Sequence, residues 1–136
     1  MKTLKNDFDW CFWMWYLAIM LSLLVGPNMC ARAGEDWELR DEVLFGSLVT
    51  LQVVDILQTR EAMKHPEQFK EANPVFGDDP STGKLVLIKG VYVGVVWHLL
   101  DEYTSSKDRT VALWVLNAIA AVVVLNNHLV GVRIEF

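Results

Sequence analysis

Cysteine is nearly missing from this chain: Cys11 and Cys30 are the only two, and both lie in or beside the N-terminal apolar segment. A helix there would hold them far apart, so no disulfide is expected between them. Histidine is also scarce, and His65, His98 and His128 would have to join Asp55 and Glu71 to bind a metal. His65 precedes a proline in a loop, and His98 lies toward the membrane face opposite His128, so they do not converge and no metal site is expected. No HExxH, GxSxG, phosphate-binding loop or paired-cysteine motif occurs. No catalytic residue, cofactor or enzymatic activity is therefore expected. Basic charge is in the minority, with 12 Lys and Arg against 17 Asp and Glu, for a net charge of -5. No basic stripe offsets that deficit, which excludes nucleic acid as a partner. Internal repeats and low-complexity segments are absent.

Long apolar runs dominate what is left. Hydrophobic residues make up 53% of the chain, and the charges fall mostly between the runs. A soluble amphipathic helix would carry polar residues every second turn, so this distribution fits a bilayer. Residues 43–59 form a first apolar helix, short for a span, that continues through Arg60–Lys64 until Pro66 stops it. Residues 85–100 and 111–132 form two more. Between them, residues 65–84 carry turn chemistry throughout, and 101–110 read as a polar turn. The acidic stretch 34–42 reads as a solvated or interface-lying turn of helix. Trp37, Trp97 and Trp114 mark membrane interfaces, and His98 reads as interfacial, near Asp101 and Glu102.

Residues 1–33 read in two ways. Lys2 and Lys5, the apolar run 11–25, Gly26-Pro27 and the small residues Ala31 and Ala33 describe a secretory signal peptide. Asp7 and Asp9 dilute its basic start. The aromatic cluster Trp10, Phe12, Trp13, Trp15 and Tyr16 instead resembles the interfacial belt of a retained anchor. The expected fold is therefore an all-α integral membrane bundle: three transmembrane helices in residues 34–136, plus an N-terminal signal peptide or fourth span. With the N-terminus inside, Lys2, Lys5, Arg60, Lys64, Lys70, Lys84 and Arg133 collect on the cytoplasmic side, against Arg32, Arg40, Lys107 and Arg109 opposite. This bias places the 65–84 loop and the C-terminus in the cytoplasm of a bacterial inner-membrane protein.

Asp55 is the residue that most needs a partner. A carboxylate inside a span costs about 2.5–3.5 kcal/mol on insertion scales, so it must face the bundle. Gln52, Asp55 and Thr59 share one helix face. Lys89 lies about one turn into the next helix, and the two helices run antiparallel, so it meets Asp55 at similar depth. The third helix returns to the same level with Asn126, Asn127 and His128, on an inward stripe expected to run Asn117, Ala121, Val124, His128. Gln52, Asp55, Thr59, Lys89, Tyr92, Asn126, Asn127 and His128 form a candidate intramembrane polar cluster. The loop residues Glu71, Asn73, Pro74 and Gly77 either cap it or only turn the chain. Gly90 and Gly94, four apart, are expected to let the first or third span approach closely.

The motif Asp55-x-x-Gln58-Thr59 followed by Glu71-x-Asn73-Pro74-x-x-Gly77 and Pro80 resembles a signature of small multi-span bacterial and phage-associated membrane proteins of unknown function. It covers residues 43–132. The resemblance implies a three-span bundle and brings no activity or cofactor. The expected function is that of a non-enzymatic component of the bilayer, working through helix–helix contacts with another membrane protein or with itself. Such a chain would be an accessory subunit, a regulator or a phage-type effector. The alternative is an oligomeric proton- or ion-coupled unit built on the Asp55–Lys89 pair.

Overall fold

The computed structural model describes residues 35–65, 81–132 and 134. Among them the chain forms three helices: α1 (Leu39–Met63), α2 (Thr82–Tyr103) and α3 (Ser106–Leu129). At 1.5 Å per residue these are about 33 to 38 Å long, against a hydrocarbon core of about 30 Å. All three are long and apolar enough to cross a membrane. Large apolar side chains point outward from each: Val43 and Val53 on α1, Leu87 and Val91 on α2, Trp114 and Leu125 on α3. The expected N-terminal signal peptide or anchor, and the loop positions Glu71, Asn73, Pro74 and Gly77, lie outside the described residues.

All three helices are longer at their N-terminal ends than their apolar runs: serine caps carry α2 and α3 into polar sequence, and first-turn carboxylates favour the start of α1. α1 begins at Leu39, inside the acidic stretch, with Asp41 and Glu42 in its first turn, where carboxylates favour the helix dipole. α2 starts after Ser81, whose side chain accepts a hydrogen bond from the Lys84 amide. The expected polar turn 101–110 shrinks to Thr104 and Ser105. Ser105 caps α3 by accepting from the Asp108 amide at 3.3 Å, while its hydroxyl donates to the Asp108 carboxylate at 2.7 Å. At its other end α3 stops earlier than the expected 132. The Gly131 amide bonds the His128 carbonyl and the Val132 amide bonds the Asn127 carbonyl. With Gly131 at φ 100° and Val132 tucked back and buried, this is a Schellman ending.

α1 packs mainly against α3 and less extensively against α2. α1 and α3 run parallel, and α2 runs antiparallel to both. The parallel pair meets along a seam with alternating steps of three and four residues. On α1 the seam runs through Asp41, Leu44, Leu48, Leu51, Asp55 and Gln58; on α3 it runs through Thr110, Leu113, Asn117, Ala120, Val124 and Asn127. Two contacts near its ends share one offset: Thr110 to Asp41 and Asn127 to Gln58 are each 69 positions apart. This is the 3.5-residue register of parallel packed helices. Its middle is the core, where Leu44, Leu48, Leu113, Leu116 and Ala120 pack with Val96 and Leu100 of α2. Polar residues occupy both ends.

Candidate functional site

The first polar end is the cluster around Asp55. Lys89 Nζ lies 2.7 Å from Asp55 Oδ2, and each side chain is only 11% exposed. Lys89 also donates to Gln52 Oε1 at 2.9 Å. The other carboxylate oxygen of Asp55 accepts from Asn127 Nδ2 at 3.0 Å, so both oxygens are engaged. The same amide lies 3.3 Å from Gln58 Oε1, and Gln58 Nε2 donates to the Val124 carbonyl at 3.1 Å. Three helices therefore meet through one connected set of bonds. Each member satisfies another, which is what polar groups in an apolar bundle require.

The structure brings together Gln52, Asp55, Lys89 and Asn127 of the expected cluster, with Tyr92 packed against the neighbouring core. Thr59 is half-buried. Asn126 and His128 are exposed, and so is Ala121. The expected inward stripe through Ala121 and His128 is thus replaced by one through Ala120 and Asn127. The phase is set by the partner: with Thr110 on Asp41, the seam carries Asn127 onto Gln58 and Asp55 and turns His128 outward. Gln58, which belongs to the motif but was not expected in the cluster, joins it for the same reason. Gly90 and Gly94 are corrected too. They face away from the bundle, and a Cβ at either position would meet nothing within 4 Å. Leu85, Lys89, Tyr92 and Val96 fix the inward face of α2, and that phase rotates both glycines out.

The second polar end, near the α2–α3 turn, was not expected to be packed at all. The sequence marks Trp37 as an interfacial residue and 34–42 as a solvated turn. In the structure Trp37 Nε1 donates to Asp101 Oδ1 at 2.7 Å. The indole lies edge-on to Phe45, and the Arg109 guanidinium sits 4.9 Å from its ring centre. Arg109 is fully buried and donates through Nη2 to the Glu35 carbonyl at 2.8 Å. The Glu35 carboxylate accepts from the Ser106 amide at 2.7 Å, taking up a free donor at the start of α3. Asp41, also fully buried, accepts from the Thr110 hydroxyl at 2.5 Å. One step inward, Asn117 donates to the carbonyls of Leu44 and Leu113. The signal for this knot is opposite charge at one end of the bundle: acidic residues at 35–42 open α1, and Lys107 and Arg109 lie in the first turn of the parallel α3.

His98 lies edge-on to Tyr103 near the same end of the bundle. Among the described residues no three His, Cys, Asp or Glu side chains come together to hold a metal ion. Comparison of the chain with known family models, with curated proteins and with solved structures found no match.

Proposed function

We propose that this chain is a non-enzymatic membrane component that acts through helix–helix contacts, as an accessory subunit, a regulator or a phage-type membrane effector. Its setting in this reading is the bacterial inner membrane, with the α1–α2 loop and the C-terminus in the cytoplasm. The observation that supports it is the closure of the Asp55 cluster. Asp55 gives one oxygen to Lys89 and the other to Asn127, while Lys89 also holds Gln52. Polar groups spent on one another hold helices in register, at roughly 0.6 kcal/mol per contact in membranes. Such a cluster leaves the apolar outer faces of the helices as the surfaces that meet other proteins.

The test is mild detergent extraction of the full chain from its native membrane, followed by intact-mass and co-purification analysis. A stoichiometric membrane partner, retained when Asp55→Asn and Lys89→Met are made together so that no charge is stranded, is the expected result. A homo-oligomer whose proton or ion flux disappears in that double variant, with its assembly unchanged, would overturn the reading and install the ion-coupled one.

A further inference from the structure

α2 has an outward face that nothing described covers. Leu87, Val91, Val95 and Trp97 are exposed on it, and Gly90 and Gly94 lie bare between them. Glycine inside a helix is about 1 kcal/mol less favourable than alanine. Alanine would clash with nothing at either site, so the described bundle gives no reason for two glycines one turn apart. A helix lying close against this face would, because small residues let two backbones approach.

The sequence itself carries a candidate for that helix. Residues 11–25 are an apolar run, and Ala18, Ser22 and Gly26 recur at every fourth position, a second row of small residues on one helical face. The chain also arrives at the right place. Trp37 is bonded to Asp101 in the last turn of α2, and Glu35 is held at the start of α3. Residues 35–37 therefore sit beside the C-terminal end of α2. The stretch from Gly26 to Glu35 reaches at most roughly 30 Å. Along α2, Gly94 and Gly90 lie about 10 and 16 Å before Asp101 at 1.5 Å per residue.

We propose that residues 11–26 dock on this face as a fourth helix parallel to α2, with Ser22 against Gly94 and Ala18 against Gly90. The N-terminal segment is then a retained part of the fold, not a leader. Tethering favours it over a second copy, because the linker holds it beside the face at high effective concentration. This inference is independent of what the assembled protein binds.

Cysteine pairing in native membranes tests it, using the full chain with Cys11→Ser and Cys30→Ser. In that background Ser22→Cys with Gly94→Cys is oxidised, and Ser22→Cys with Val53→Cys, on the outward face of α1, serves as control. The expected product is an intramolecular disulfide from the first pair and none from the control, on a chain of full mass. Ala18→Cys with Gly90→Cys repeats the measurement at the other end of the row, should Gly94→Cys prevent accumulation. Adding Gly94→Ile to this second pair is expected to abolish its product. A disulfide-linked dimer through position 94 or 90 would put a second copy on the face and overturn the proposal. So would loss of residues 1–33 from the mature chain, equal yields from test and control pairs, or no intramolecular product from either test pair.

Discussion

Lys89 and Asp55 approach to 2.7 Å from antiparallel helices, with each side chain almost wholly withdrawn from the bundle surface. Removing one member of such a pair strands a charge, whereas removing both does not. Lys89→Met alone is expected to destabilise the bundle by about 3–5 kcal/mol. Asp55→Asn combined with Lys89→Met should recover most of that loss, since the amide still accepts and donates toward Asn127. Thermal unfolding in detergent and steady-state abundance in the membrane read both effects. Equal losses in the single and double variants would remove the pair from the account of stability.

The register between α1 and α3 makes a prediction with a built-in control. Asn127 bonds Asp55 and Gln58, while its neighbour Asn126 is exposed. Asn127→Leu strands buried acceptors and should cost about 1–3 kcal/mol. Asn126→Leu should stay within about 0.5 kcal/mol of the parent. Paired melting curves decide it, and the opposite ranking would mean that α3 sits in the other phase.

That pair also marks how far the sequence can be read. The three apolar runs are plain, and so is the depth match of Asp55 with Lys89, because both follow from counting residues along helices joined by one loop. The choice between Asn127 and His128 is not countable. Measured from Asn117, steps of three or four residues lead to either one. Only the fit of Thr110 against Asp41, at the far end of the seam, selects between them. The acidic stretch 34–42 misleads for a related reason. Charge density reads as solvated until its partners Ser106, Arg109 and Thr110 are folded over it. The early end of α3 was legible in principle, since Gly131 sits where a helix-terminating glycine belongs, yet the apolar run continues past it.

Gly131 itself is testable. No neighbour lies within 4 Å of a Cβ placed there, so any penalty comes from its φ of 100° alone. Gly131→Ala should cost about 1–2 kcal/mol, the strain of left-handed backbone on an L-residue. Gly131→Asn should cost less. Hydrogen exchange at the Val132 amide, which closes the Schellman ending on Asn127, should speed up in the alanine variant and little in the asparagine one.

At the other end of the seam, Thr110 supplies the hydroxyl to a fully buried Asp41. Thr110→Val keeps the shape and removes the donor, leaving a carboxylate oxygen without its partner, at a cost of about 1–3 kcal/mol. Asp41→Leu together with Thr110→Val replaces the polar layer with an apolar one of similar volume and should restore most of the loss. Arg40 lies 3.8 Å from Asp41 and is itself half-exposed, so it can swing into water when the carboxylate is gone. The double variant should therefore melt close to the parent and well above Thr110→Val. It should also loosen specificity: a polar layer tolerates only the register that pairs it, whereas leucine and valine tolerate slippage. Hydrogen exchange along α3, compared between the parent and the double variant at matched stability, measures that loss directly. Unchanged protection would mean that the Asn117 and Asn127 bonds suffice to hold the register without Asp41.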